Sequence, residues 1–588
     1  MKTLNYSIIV AALAMGTLSA GAQLKKEIVV EREIEPAERA ATRPADITPG
    51  IYSPKIERQR LNMTEYDGKG EVSKQMTVLS AARWRDTLEV SPYRGYIAGG
   101  YFPAFNAGLS AGYRLIKHPQ RFLDAWLQYN GFSYKQNADA TLDNIGMPGD
   151  EKATLKQHQF AVGLDFANNF SGKGVLDANM RVMIANYSHP AVYETPDQTA
   201  SAGHISLGWT AATEKTPWHL GAEFGFFGFD KKIPSEIAYL ADRDDLKAAN
   251  EKTFGIRGGI GRNFGPSNWS LDVDARFQSL NTTGQFRLVA LNDPTLKAAP
   301  EFSTGGSLTQ GVTRLTPRYS FAPTNVRLDL GFNVDIATGG ENTGVSVSPA
   351  VKASWAPCPL FAISAQVDGG KQLNTLADMY DYTPYTYGSM TYGRSKIPFD
   401  ARISLDFGSY KGFTASLFGG YSKADDWYTP AICGGAVFMH AGTVKGFRYG
   451  LQLDYSHRYF DIRLGAEGTP NSLGHGYYKW RDNARWDLSA GVNIRPIDRL
   501  AVDLKWVLRT KRDATHLTPV SDGYVIAWDK SKYDLGDAND LSVSARYAIT
   551  NAFSAFANVE NILGKRWLLL PGVQNNTIHG LLGVELKF

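Results

Sequence analysis

The sequence predicts an all-β protein: a transmembrane antiparallel β-barrel of about 22 strands, with short periplasmic turns and long extracellular loops. Three observations carry that expectation. An export signal heads the chain, strands of alternating character fill it from about Arg94 onward, and the connections between them alternate between short and long.

Met1-Lys2 is a basic start, residues 8–18 form an apolar run, and Ala20-Gly21-Ala22 fits a small-residue cleavage pattern. Residues 1–22 therefore read as a secretory signal, too short to span a bilayer as a helix. No later stretch reaches the roughly 18 apolar residues of a transmembrane helix. Membrane insertion would then require a closed barrel, the one alternative that satisfies every backbone polar group in lipid. Two cysteines in 588 residues cannot build a disulfide framework, and a net charge of +4 gives no case for nucleic acid.

Residues 23–93 form a separate region. It holds Lys25-Lys-Glu-Ile-Val-Val-Glu-Arg-Glu-Ile-Glu-Pro36 and has little periodicity and few large apolar residues. The expectation is an extended, charged periplasmic arm that orders on a protein partner.

Residues 94–588 are expected to be the barrel. In 326–336, Val326, Leu328, Leu330, Phe332, Val334 and Ile336 alternate with Arg327, Asp329, Gly331, Asn333 and Asp335. In 269–277, Leu271, Val273 and Ala275 alternate with Ser270, Asp272, Asp274 and Arg276. In 447–455, Tyr449, Leu451 and Leu453 oppose Arg448, Gln452 and Asp454, and similar segments start near Phe160, Ala401, Trp486, Leu500 and Leu541. The chain ends on a strand of the same kind: Leu582, Val584, Leu586 and Phe588 on one face, Gly583, Glu585 and Lys587 on the other. Strands of about ten residues with one continuous apolar face suit a membrane barrel better than a soluble sandwich.

Short connections are expected at 117–121, 169–173, 214–217, 322–323, 356–358, 409–412 and 495–499. Long ones are expected at 136–153, 231–251, 283–308, 371–395 and 510–539. That parity is the asymmetry of transmembrane barrels, and it puts both termini in the periplasm. Trp218, Trp269 and Trp355 stand beside short turns, where a periplasmic aromatic girdle would lie, and Cys358 and Cys433 fall at opposite ends of their strands.

The run Asn551-Ala-Phe-Ser-Ala-Phe-Ala-Asn-Val-Glu-Asn-Ile-Leu-Gly-Lys-Arg-Trp567, then Pro571-Gly572 and a closing strand to Phe588, resembles the C-terminal end of TonB-dependent receptor barrels. The resemblance implies a barrel of this size and solute uptake across the outer membrane. It also implies a folded plug domain ahead of the barrel, which residues 23–93 do not resemble, so a plugless barrel is expected. Glu27-Ile-Val-Val30 resembles the short box through which such receptors contact TonB. In outer-membrane barrels generally, which this ending resembles, a terminal aromatic such as Phe588 belongs to the signal read by the barrel-assembly machinery.

The candidate lumen wall is the polar face of these strands: Asp272, Asp274, Arg276, Arg327, Asp329, Asp335, Arg402, Asp406, Arg448, Asp454, Asp503, Lys505 and Arg546. Interleaved signs favour mutual pairing across strands over a selective ion filter. A second candidate is the tyrosine-rich extracellular loop with Tyr380, Tyr382, Tyr385, Tyr387 and Tyr392. Its rings either offer a rigid surface to a ligand or pack the loop onto the rim. Residues 235–250 are expected to form a short amphipathic helix in another outer loop. The ten histidines are scattered, so no metal site, cofactor or enzymatic chemistry is expected. Besides outer-membrane lipid, the expected partners are the assembly machinery and a periplasmic or surface protein held by residues 23–93 or the loops. The sequence leaves two functional readings: a solute transporter, or a structural barrel that scaffolds an outer-membrane assembly.

Overall fold

The computed structural model describes residues 93–588 except 137–153, 172, 189–196, 212, 214, 231–247, 290–298, 341–342, 383, 386–391, 434–435, 470–483, 522–525 and 571–572. The expected signal segment, and the expected arm but for its last residue, lie outside the described residues.

The described residues are almost entirely strand. The first group is β1 (Gly95–Phe102), β2 (Asn106–His118), β3 (Arg121–Lys135), β4 (Thr154–Phe170), β5 (Gly174–Tyr187), β6 (Gln198–Ala211), β7 (Trp218–Phe229) and β8 (Asn250–Phe264). Then come β9 (Ser267–Val289), β10 (Ala299–Phe321), β11 (Val326–Thr338), β12 (Gly344–Cys358), β13 (Phe361–Leu373), β14 (Arg394–Tyr410), β15 (Phe413–Cys433) and β16 (Ala436–Ser456). The last are β17 (Phe460–Gly468), β18 (Trp486–Ile497), β19 (Leu500–Thr510), β20 (Asp513–Ser521), β21 (Ile526–Asp534), β22 (Ala538–Ala548), β23 (Phe553–Glu560), β24 (Leu568–Leu570), β25 (Val573–Gln574) and β26 (His579–Lys587).

Of the 24 strands in the main sheet, β20 and β21 stand outside the ring, because β19 pairs directly with β22. The other 22 close into an antiparallel barrel through β1 and β26. The expected strand count and parity are therefore both present. The turns expected at 117–121, 169–173, 356–358 and 495–499 join β2 to β3, β4 to β5, β12 to β13 and β18 to β19.

Two long connections are not the loops expected. Residues 283–289 and 299–308 instead continue the ladder, with Val289 opposite Ala299 and Phe286 opposite Phe302. Thr282, Thr283, Phe286, Leu288 and Val289 are residues that favour a pleated strand, and pairing satisfies their backbone where a loop would leave it to water. Over 510–539 the chain builds the β20–β21 hairpin, and β20 then pairs in parallel with the outer end of β15. The helix expected at 235–250 falls mostly outside the described residues, and Asn250 already begins β8. A helix, α1 (Leu376–Tyr382), forms instead in the tyrosine-rich loop.

Alternation sorts the two faces. Val326, Leu330 and Phe332 are exposed on the outside of β11, while Asp329, Asn333 and Asp335 are buried on the inside. Trp269, Leu271 and Phe277 face out from β9, and Ile403, Leu405 and Phe407 from β14. Trp218, Trp269 and Trp355 are outward beside the short turns, as an interfacial girdle requires. Cys358 is exposed at the β12–β13 turn, and Cys433 ends β15 at the opposite side of the barrel.

The seam is built from the last residues of the chain. Tyr96 pairs with Lys587 and Tyr101 with Leu582. The Phe588 carbonyl accepts hydrogen bonds from the backbone of Arg94 (2.6 Å) and Gly95 (2.8 Å), and its own N–H donates to the Gly95 carbonyl (2.9 Å). Its ring stacks on Tyr113 at 6.2 Å. A Cβ at Gly95 would lie 2.6 Å from that ring, so the position admits no side chain without moving Phe588. Leu582, Val584 and Leu586 are about half exposed toward lipid, whereas Glu585 is 3% exposed and faces the lumen. Gly95→Val and deletion of Phe588 should each reduce the fraction of folded, heat-modifiable barrel recovered from membranes, measured by unboiled gel migration. Wild-type recovery of both variants would show that the seam does not depend on this contact.

Candidate functional site: the lumen wall and a loop across the outer mouth

The lumen wall is a set of ion pairs. Arg276 bonds Asp274 at 3.1 Å and Arg327 bonds Asp329 at 2.9 Å, each two residues apart on one strand. Other predicted wall residues meet groups on the adjacent strand or on the next but one. Asp335 takes Arg314 at 2.7 Å, Asp454 takes Arg463 at 2.9 Å, Arg448 reaches Asp400 at 2.9 Å, and Arg546 holds Glu585 at 2.8 Å. Asp272 lies 3.9 Å from His219. Asp406 accepts the Ser416 hydroxyl at 2.6 Å, and the Arg402 guanidinium lies 4.1 Å over the Phe418 ring. Asp503 and Lys505 flank outward-facing Leu504 on β19 and so belong to the same inner face.

Sequence reasoning missed the partner half of these pairs: Arg314, Asp400 and Arg463, and the Arg114–Asp124 bridge at 2.7 Å. Their charges and alternation are plain in the sequence, but pairing depends on register. Arg314 stands directly opposite Asp335, and Asp454 opposite Arg463. The pair with the most buried carboxylate is Arg314–Asp335. Asp335 is fully buried and also accepts the Lys371 backbone N–H at 2.7 Å. Arg314 then reaches the Lys371 carbonyl at 3.0 Å, across space that Gly370, at φ +145°, leaves open. A buried pair of this kind is costly to break, whereas the exposed ones contribute at most about 1 kcal/mol each.

The second feature is the loop of residues 374–393, which leaves the wall between β13 and β14 and crosses to the far side. The Thr375 hydroxyl accepts the Asp378 N–H at 2.9 Å, and Asp378 accepts the Thr375 N–H at 3.1 Å, a reciprocal cap that starts α1. The Glu251 carboxylate of β8, 2% exposed, accepts the Leu376 N–H and the Gln278 side-chain amide. Gln278 also donates to the Asn374 carbonyl at 3.2 Å. Gln310 of β10 donates to Gln278 at 2.7 Å and to the Tyr392 carbonyl at 2.6 Å. Both ends of the loop are thus tied to one polar ladder, Glu251–Gln278–Gln310, on the inner wall.

Between those ties the described part of the loop buries apolar and aromatic side chains. Leu376, Met379, Tyr380, Tyr385 and Tyr392 share a buried cluster with Leu155, Met183, Tyr187, Phe227 and Leu280 of β4, β5, β7 and β9. Tyr380 lies 5.1 Å from Phe227 and 5.9 Å from Tyr187, and Tyr385 lies 6.1 Å from Tyr187. Burial pushes the Tyr380 and Tyr385 phenols above the ordinary tyrosine range, so they remain neutral packing groups. Tyr382 lies on α1, and Tyr387 is outside the described residues. The loop tyrosines whose side chains are described therefore pack the loop inward and do not present an exposed platform. The last loop joins the same cluster through Leu570 and Val573, and Tyr134 of β3 donates to its Gln574 carbonyl at 2.6 Å.

No protein-family model matches the sequence, and no curated protein sequence does either. Solved structures do. The ferric enterobactin receptor of Pseudomonas aeruginosa superposes with a TM-score of 0.61 at 11% identity, over 84% of this chain and 80% of that one. The siderophore receptor PirA of Acinetobacter baumannii gives 0.60 at 10%, over 84% and 80%. The iron transporter FrpB of Neisseria meningitidis gives 0.59 at 12%, over 84% and 81%. In fold the chain is similar to outer-membrane receptor barrels. At these identities the likeness is one of architecture, and an apolar belt around such a closed ring places it in the outer membrane.

Replacing Glu251 with Ala should leave the Leu376 N–H short of its acceptor and weaken docking of the loop by about 1–3 kcal/mol. Limited proteolysis of the folded barrel in detergent should then cut within residues 374–393 at least severalfold faster than in wild type. Unchanged cleavage would show that the carboxylate does not hold the loop.

Proposed function

We propose that the protein carries a solute across the outer membrane, with the wall-anchored loop of residues 374–393 controlling access from outside. One observation supports the reading above the others: a 22-strand barrel of receptor architecture has a loop stapled across its mouth from the β13–β14 side onto β4–β9. A loop held by one hydrogen-bonded ladder and one apolar patch can be released as a unit, because both ties lie on the same stretch of wall. Its release would uncover a lumen lined by neutralised Arg–carboxylate pairs, a surface suited to a polar solute more than to ion selection. The solved structures it resembles include receptors for iron-bearing siderophores, which makes a solute of that size class the natural first candidate. On this reading the loops, not a separate plug domain, close the mouth.

Purified protein in planar bilayers should show low conductance, and deletion of residues 375–392 should raise it severalfold. A deletion variant that inserts, stays electrically silent and binds no solute would overturn the proposal. The competing scaffold reading rests on the charged segment 23–93. It gains if a stoichiometric protein partner co-purifies in mild detergent and is lost when residues 23–88 are removed.

A further inference from the structure

Four lysines stand on four consecutive strands where the outer apolar belt ends, on the side away from the termini. Lys371 of β13 is the register partner of Lys396 of β14, and Lys423 of β15 stands directly opposite Lys445 of β16. Their direction follows from their neighbours. Ser422 beside Lys423 is buried with its hydroxyl on the lumenal Asp400, and Val444 beside Lys445 and Ile397 beside Lys396 are buried as well. Two residues below, on the lysines' own face, the rings of Tyr421 and Phe447 meet edge to face at 4.7 Å, and Phe399 stacks on Tyr421 at 5.7 Å.

The height of the row is set by strand geometry. Lys423 lies ten residues above Phe413 on β15, and Lys445 ten residues from Tyr455 on β16. Ten residues of a strand tilted by 35–45° rise about 25 Å, the height of the apolar band of an outer-membrane barrel. The lysines therefore sit at the outer headgroup level, with an aromatic girdle beneath them.

Like charges directly opposite one another on a sheet repel. The nearby carboxylates are Asp425, directly opposite Lys396, then Asp426 and, for Lys371, the lumenal Asp335 that Arg314 already holds. Asp425 is engaged by Lys423 at 3.5 Å and by the Thr443 hydroxyl at 3.1 Å. Lys396 and Lys445 have no ion-pair partner among the described residues. Four lysines thus outnumber the carboxylates beside them, and the row keeps a net positive charge at a depth where bilayer headgroups can balance it.

We infer that Lys396, Lys423 and Lys445, with Lys371 at the edge, bind the phosphate groups of an outer-leaflet lipid whose chains pack on Phe399, Tyr421 and Phe447. The site is on the outside of the wall, apart from the lumen and the crossing loop, and does not depend on what the barrel transports. Native mass spectrometry of the detergent-purified barrel titrated with bis-phosphorylated lipid A tests it. Wild type should retain the lipid. The triple variant Lys396→Gln/Lys423→Gln/Lys445→Gln should bind it at least about tenfold more weakly. Lys215→Gln, on a short turn at the opposite end, should bind as wild type. Heat-modifiable migration confirms that each variant is folded. Lipid A stripped of phosphate should bind no better than to the triple variant, and millimolar inorganic phosphate should not displace the intact lipid. Equal binding by the triple variant, equal binding of the dephosphorylated lipid, or displacement by free phosphate would each overturn the assignment.

Discussion

Every strand of this barrel depends on closure of the ring between β1 and β26. In lipid an unpaired strand edge leaves backbone N–H and C=O groups without water, so an open sheet of this length could not stay in the membrane. Closure is made by the final residues: Phe588 supplies backbone hydrogen bonds to Arg94 and Gly95 and a ring to Tyr113. Glu585, three residues earlier and on the opposite face, carries the seam inward through Arg546 and Lys587. The same strand thus seals the ring toward lipid with its apolar face and ties it toward the lumen with its charged one.

A closed ring of 22 strands encloses more space than side chains alone can fill. The wall and the loops divide that problem. Arginine–carboxylate pairs line the wall and neutralise one another across register, with Arg314–Asp335 buried enough to be structural. The loop of residues 374–393 brings apolar bulk to the mouth, and Tyr187, Phe227 and Leu280 form the inner-wall surface that receives it. These wall residues are apolar where lumen-facing positions are expected to be polar. Their departure from the dyad pattern marks where the loop docks.

Much of the barrel was legible in the chain. Period-two alternation located the lipid face of β9, β11 and β26, because a residue that meets lipid has no choice but to be apolar. Short turns were legible because they are short. The extensions of β9 and β10 and the β20–β21 hairpin were not, since outside the membrane strand and loop are both built from mixed residues. The tyrosine-rich loop stood out by composition, yet exposure and burial of its rings were equally compatible with the sequence. Glu251 and Gln278 gave no signal at all; each is an ordinary polar residue near the outer end of a strand until the loop arrives from the other side of the ring.

The sequence by itself determined the class of the protein, the approximate number of strands and their lipid-facing sides. Each of these follows from the bilayer, which acts on every residue of a strand locally and so leaves a local pattern. Only the tertiary structure decided which charges meet, where the loop of residues 374–393 lands and that lysines from four strands form one row. Those depend on cross-strand register and on a contact between segments far apart in the chain, and neither leaves a periodic trace that a single sequence can show.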